Sequence, residues 1–343
     1  MKRFLISFAS GMAALLPIVR ADAQAPPPAA RTAYTVPRTA WGDPDLQGLW
    51  PSNDMQGTPY ERPESFGTRA VLTDDEYRAR QTASQRQSES DAETTFKPGE
   101  RVGIGAPANW GERGKPTHQA SLIVDPPDGR FPPMTPEGER RSKEAYSTYY
   151  LDFPDAVTAH PFNEFTDLGI YDRCITRGLL ASILPTAYNM GNQIIQVPGA
   201  VIIRNEMIHE TRVIPVGGQP HVSAKIRQYL GDSRGYWEGD TLVVETTNFN
   251  GKVGITRNGN TLPTSQELKV VERFERTGPK TIQYTATVTD PKTWTRPWTV
   301  SLPLKLHPEY QFFEYACHEG NYAMKHILSG ARADERASGQ AVQ

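Results

Sequence analysis

Hydrophobic and polar positions alternate in short runs through the second half of the chain, with turn formers between them about every eight to twelve residues. This pattern predicts strands over Gln193–Val197, Ala200–Glu206, His209–Val216, Ile226–Leu230, Gly235–Trp237, Thr241–Phe249, Glu267–Arg276, Thr281–Thr289, Trp298–Leu306 and Gln311–Cys317. The best-formed unit is Gly231 to Asn250, where Trp237 ends one strand and Thr241 opens a β-branched second one. Gly239 lies in the Glu238-Gly239-Asp240 turn between them, where a left-handed backbone is needed and a side chain would strain it. A meander of short strands with this spacing predicts a mainly β fold built as an antiparallel barrel over residues 191–318.

The first half reads differently. Thr73-Asp-Asp-Glu76 is a capping box that opens a polar helix of about twelve residues. Thr135 with Pro136 starts a second helix that runs to about Tyr150. Between them, residues 84–118 are rich in Ser, Gly and Pro and read as a long loop, with Trp110 as an anchor or part of a lid. Residues 41–190 are thus a loop-rich segment whose two helices pack on the barrel, and residues 319–336 form a closing helix with Tyr322, His326 and Ile327 on one side. Gly48-x-Trp50 resembles the start of lipocalins, in which a Trp closes one end of the barrel. With the meander and the terminal helix, it implies a lipocalin-like barrel with room for one small ligand.

The N-terminus changes the picture of where the protein works. Lys2 and Arg3, the apolar run Phe4–Val19 and Ala21-Asp22-Ala23 make a secretory signal that is cleaved after Ala23, so residues 1–23 are a signal peptide and the destination is the periplasm. The Pro- and Ala-rich residues 24–40 read as a disordered leader, and no other segment of the 343 residues is apolar and long enough to span a membrane. The formal charge is −2, and removing the three positive charges and one negative charge of the signal leaves −4. No basic stripe of the kind that phosphate backbones select is present, which excludes nucleic acid as an expected partner. In an oxidising compartment Cys174 and Cys317, the chain's two cysteines, are expected to pair as a disulfide.

Three segments, Gly42-Asp-Pro-Asp-Leu-Gln-Gly-Leu-Trp50, Trp237-Glu-Gly-Asp-Thr-Leu-Val-Val-Glu-Thr-Thr-Asn-Phe249 and Glu314-Tyr-Ala-Cys-His-Glu-Gly-Asn321, resemble a large group of exported bacterial proteins of undefined function. Glu206–Arg212 and Ser121–Arg130 belong to the same resemblance. It implies an exported chain that folds as one piece, and carries no catalytic residues with it.

Candidate chemistry therefore rests on the residues themselves. Glu206-Met-Ile-His-Glu-Thr-Arg212 is the densest polar cluster. On a strand, Glu206, Glu210 and Arg212 share one face with Ile208, and His209 takes the other. His209 and His318 are the candidate acid and base, with Glu210 as their catalytic partner. Glu206, Arg212, His221, Tyr188, Asn248 and Phe249 are candidate substrate-binding residues, the aromatic rings suiting a flat ligand and the amide fixing its orientation. His209, His221 and His318 with Glu206 or Glu210 have the donor chemistry of a zinc set but no ligand spacing, so no metal is assigned. Gly231-Asp-Ser-Arg-Gly235 has the G-x-S-x-G spacing but falls in the predicted hairpin and not at a strand-to-helix elbow, which disfavours Ser-triad chemistry. No P-loop or dinucleotide turn occurs to support nicotinamide chemistry, and no cofactor is expected. The expected function is an isomerase, lyase or hydrolase acting by acid–base chemistry on a small, largely apolar or aromatic molecule. The alternative is a carrier that binds such a hydrophobic molecule unchanged.

Overall fold

The alternation of the C-terminal half folds as two antiparallel sheets. In the computed structural model, residues 34–93, 110–144, 162–256 and 261–339 are described. The expected signal peptide, most of the leader and part of the long loop lie outside those residues, as does the second helix beyond Glu144. The smaller sheet has the order β1 (Gly48–Leu49), β3 (Asn192–Val197), β4 (Ala200–Asn205), β5 (Thr211–Pro215). The larger runs β2 (Ile123–Asp125), β12 (Trp298–Lys305), β11 (Thr281–Thr289), β10 (Lys269–Gly278), β7 (Thr241–Thr247), β6 (Asp232–Glu238). A third pair, β8 (Gly254–Thr256) and β9 (Thr261–Pro263), stands apart. A single parallel bridge, Val216 to Gly235, links the edge after β5 to β6.

Strict period-two burial along β10, β11 and β12 turns one face of the larger sheet inward. Its buried side chains, among them Phe274, Tyr284 and Trp298, join Ile194, Ile203 and Ile214 of the smaller sheet in one core. Trp50 is fully buried at the edge of this core. Its indole N–H donates to the Leu46 carbonyl at 2.9 Å, and the Arg276 guanidinium lies 5.5 Å from its ring. Gly48 has a φ of +142°, and a Cβ there would be 3.1 Å from both the Trp50 indole nitrogen and Leu306. Glycine is what lets the chain pass Trp50 so closely. In the β6–β7 hairpin Gly239 takes a φ of +59°, as its turn requires.

Several expected elements shift. The helix α1 (Asp74–Glu93) opens on the Thr73–Glu76 capping box but runs 20 residues, because nothing breaks it where its polar sequence continues. The helix α2 covers Pro136–Glu144, and α3 spans Ala323–Ser338 after a turn at 316–319. The expected strand His209–Val216 begins only at Thr211, because residues 207–209 form a tight turn. Ile226–Leu230 makes just one bridge, from Gln228 to Phe249. Gln311–Cys317 is not a strand, and runs as a strap over the end of the smaller sheet. No helix among the described residues is long and apolar enough to cross a membrane.

Two covalent and ionic ties cross this architecture. Cys174 and Cys317 form a disulfide across 143 residues of sequence. Inside the core, both terminal nitrogens of Arg212 on β5 donate to Glu272 on β10, at 2.6 and 2.9 Å, and the Tyr284 hydroxyl donates to the same carboxylate at 3.0 Å. All three residues are at most 5% exposed. Glu272→Leu leaves the guanidinium buried and unpaired, and is expected to lower stability by about 3–5 kcal/mol in urea denaturation. Replacing the trio together, Arg212→Met with Glu272→Leu and Tyr284→Phe, should return most of that loss. A cost below about 1 kcal/mol for the single change would show that the pair is not holding the sheets. Reduction of the disulfide, or the Cys174→Ser/Cys317→Ser protein, should lose up to ~5 kcal/mol, the chain-entropy value for a loop of this length; denaturation with and without dithiothreitol reads it directly.

Candidate functional site

The β4–β5 connection, the strap and the segment 171–182 meet at one end of the smaller sheet. Their meeting is marked by the backbone. Six described residues other than glycine have positive φ, and four lie here: Cys174 (54°), Asn189 (51°), Ile208 (59°) and His209 (46°). For a β-branched Ile this is a strained conformation, tolerated only where packing enforces it. The packing is a small cluster of Tyr171, Met207 and Ile208, with Tyr188, Tyr315 and Cys317 against it. The disulfide fixes the strap to the 171–182 segment at this point.

Three tyrosines converge in that cluster. The Tyr171 and Tyr315 hydroxyls are 2.8 Å apart, and Tyr171 also approaches the Met207 sulfur at 3.4 Å. Burial pushes the Tyr315 hydroxyl up to about 12, and neighbouring Tyr188 adds to the rise, while its bond with Tyr171 and the charge of Arg177 oppose it. Trp110, 55% exposed, sets its edge against Tyr188 with ring centroids 5.8 Å apart.

Glu210 is buried behind this cluster. The Thr176 hydroxyl donates to one of its oxygens, and Ser182 Oγ lies 2.9 Å from the other. Burial raises its pKa above the usual carboxylate value, against the hydrogen bonds of Thr176 and Ser182, the Arg212 charge and the Arg177 backbone N–H. The contacts suit a neutral acid. Ser182 Oγ is also 3.0 Å from the Gly178 carbonyl, which only accepts, so a protonated Glu210 can donate to Ser182 while Ser182 donates onward. Arg177 joins the two groups, with its N–H on Glu210 and its charge acting on Tyr315.

Glu206 does a different job. Its carboxylate accepts from Asn189 Nδ2 (2.9 Å), Gly191 N (3.3 Å), Phe313 N (2.9 Å) and the Tyr310 hydroxyl (2.7 Å). It thereby clamps the strap to the sheet. The same Tyr310 hydroxyl is 2.8 Å from Glu112, which also accepts from the backbone of Asn189 and Met190. A phenol has one proton, so a second contact this short requires one carboxyl group to be protonated and to donate to it. Glu112 is that group, because burial raises its pKa and the Glu206 charge adds to the rise against its hydrogen bonds. Burial and the two carboxyl groups hold Tyr310 far above a tyrosine's usual value, so it stays protonated.

The residues expected from sequence are distributed as follows. His209, exposed on the strained turn, places Nδ1 2.9 Å from the Tyr315 carbonyl. His318 is exposed in the turn that follows Cys317. Glu206, Glu210 and Tyr188 belong to the same end of the sheet. Arg212 does not open on that end, since its guanidinium is committed to Glu272 inside the core. His221 stands in another cluster, with Nδ1 2.7 Å from Asp232 and Nε2 3.5 Å from Glu245. Asn248 holds the adjoining loop through the carbonyls of Val222 and Ser223, at 3.0 and 3.2 Å. Phe249 is 1% exposed and belongs to the core. Among the described residues no three or more His, Cys, Asp or Glu gather as a metal set, so the histidines do not converge as zinc ligands.

Glu112, Tyr310, Tyr171, Thr176 and Ser182 carry no periodic or motif signal, since each comes from irregular chain. Their only mark in the sequence is position beside Trp110, Cys174 or the strap. Because Glu112 has a raised folded-state pKa, its contribution to stability is full below the ordinary value of 4.5 and is lost as pH rises through the folded value. Glu112→Gln, which does not titrate, should therefore gain stability relative to the parent as pH rises from about 4 to 7. Parallel denaturation curves across that range check the sign, and a flat difference would remove the shared-proton assignment. Compared with protein-family models, with curated proteins and with solved structures, the chain matches none.

Proposed function

We propose that this chain is an exported, cofactor-independent enzyme that performs acid–base chemistry, as an isomerase, lyase or hydrolase, on a small, largely apolar or aromatic molecule. Glu210 carries the reading. It is a buried carboxyl group that burial pushes toward its neutral form, with the Arg177 backbone N–H on it and the Arg177 charge acting on Tyr315, whose hydroxyl is 2.8 Å from that of Tyr171. A carboxyl group so tuned holds its proton more tightly than an ordinary one, which suits a general acid. His209, exposed on the same strained turn, supplies a base, and His318 on the disulfide-tethered strap a second one. Tyrosine hydroxyls at 2.8 Å spacing can share the negative charge of an enolate or alkoxide.

A lipocalin-like barrel is the architecture proposed to carry this site. Supporting it are the Val216–Gly235 bridge between the two sheets, the close approach of Leu306 to Gly48, and the burial of Trp50 under Arg276. Periplasmic export and kinship with the exported bacterial group are proposed on the N-terminal sequence and the three shared segments. A disulfide is the bond an oxidising compartment preserves.

One observation favours a carrier instead. Trp110 and Phe313 are more than half exposed, and Trp110 stands beside Tyr188, as rings that hold a flat ligand without changing it. The two readings separate by mutation, with turnover measured on a panel of small aromatic and alicyclic esters, ketones and hydroxy compounds. In an enzyme, Glu210→Gln and His209→Ala are expected to lower kcat by roughly 10²–10⁴ while ligand still binds. In a carrier, Tyr188→Ala weakens binding and no turnover exists to lose. Unchanged turnover in Glu210→Gln, His209→Ala and His318→Ala would end the acid–base reading.

A further inference from the structure

Away from that end of the molecule, the turn at residues 52–58 concentrates polar atoms without partners. Among the described residues, five side-chain oxygens are buried without a hydrogen bond: those of Ser52, Asn53, Gln56, Thr58 and Glu335. Four of the five fall within one seven-residue turn. Ser52 is 1% exposed and Thr58 6%, so solvent does not satisfy them. Buried polar atoms are normally paired, and four in one turn call for a common explanation.

We propose that this turn binds a calcium-sized divalent cation. Asp54, whose side chain is 12% exposed, supplies the negative charge at the middle of the turn. Its Oδ1 already accepts the Lys115 N–H at 2.8 Å, which fixes the carboxylate in place. Gly114 makes that closeness possible, since a Cβ there would fall 2.3 Å from the same oxygen. Gln56 donates its Nε2 to the Ala187 carbonyl at 3.1 Å, so its free end is the oxygen, which only accepts. Asn53 opens the 3₁₀ turn Asn53–Met55 and Gln56 follows it, so the two amides flank Asp54 along the chain.

The chemistry of the donors selects the ion. Carboxylate, amide carbonyl and hydroxyl oxygens are the hard ligands that calcium accepts in flexible sets of six to eight, with waters completing the shell. Magnesium demands a stricter octahedron, and zinc prefers nitrogen and sulfur; the Met55 sulfur already accepts the Thr117 hydroxyl at 3.6 Å, and the nearby His307 places its Nε2 3.8 Å from Asp54. With a single carboxylate, the affinity belongs at the weak end, a dissociation constant of roughly 10⁻⁴–10⁻³ M.

The test uses the full chain after treatment with chelator, titrated with calcium chloride alone and followed by calorimetry and by melting temperature. Saturable binding in that range with a raised melting temperature is expected. Asp54→Asn should weaken it at least about tenfold, and Asn53→Asp, which adds a carboxylate, should tighten it, because charge count sets affinity in such sites. Asp75→Asn, an exposed carboxylate on α1, should change nothing. The proposal is overturned if calcium up to about 10 mM gives no saturable signal. An equal response to magnesium or sodium chloride, or one indifferent to Asp54→Asn and Asn53→Asp, overturns it as well and leaves internal water as the partner of these oxygens. Should Asp54→Asn not fold, the Asn53→Asp result decides alone.

Discussion

The Arg212–Glu272 pair is the contact on which the arrangement of the two sheets depends. It crosses the interior from β5 to β10, and each partner brings a charge that no apolar neighbour can compensate. Burying either alone would cost several kcal/mol, about the net stability of a domain, so the sheets are committed to the register that joins them. Tyr284 completes the pair by donating to Glu272, and its ring packs against Phe274 at 5.0 Å between centroids. Polar specificity and apolar packing are therefore set at the same place.

That tie reaches the candidate site through charge. Glu210 is two residues before Arg212, and the guanidinium opposes the burial that raises the carboxyl pKa. Glu210 is thus poised between two effects, desolvation that favours the neutral acid and a nearby cation with hydroxyl donors that favours the carboxylate. The balance suits a group that must give up and regain a proton. It also means that the core and the site share Arg212, which pairs with Glu272 and acts by its charge on Glu210.

The strap over residues 306–322 solves another problem. It has no regular secondary structure, so its backbone groups need partners from elsewhere. Glu206 takes the Phe313 N–H and the Tyr310 hydroxyl, His209 meets the Tyr315 carbonyl, and the disulfide closes the far end. The left-handed turn at Ile208 and His209 is held by the Tyr171 and Met207 packing beneath it. Strain, aromatic packing and crosslink are concentrated in one place, where rigid presentation of side chains matters most.

The sequence by itself determined the β-rich, antiparallel character of the chain, the central hairpin with Gly239 at its turn, the capping box of α1 and the pairing of the two cysteines. These follow from local rules, namely period-two alternation, turn chemistry and cysteine count. Tertiary structure decided the rest. Residues 207–209 carry the β-branched and apolar look of a strand, yet the chain turns there because Tyr171, Tyr315 and the strap pack against it. Gln311–Cys317 has strand composition but joins neither sheet, and is held as a strap by Glu206, His209 and the disulfide. Arg212 and Glu210 are two residues apart and are both ordinary ionisable groups of opposite charge in the sequence. One is locked in an ion pair and the other is a candidate acid, because the partners that separate them, Glu272 at one and Thr176 with Ser182 at the other, lie between 28 and 60 residues away along the chain. Periodicity reports which way a side chain points; only the folded chain supplies what it points at.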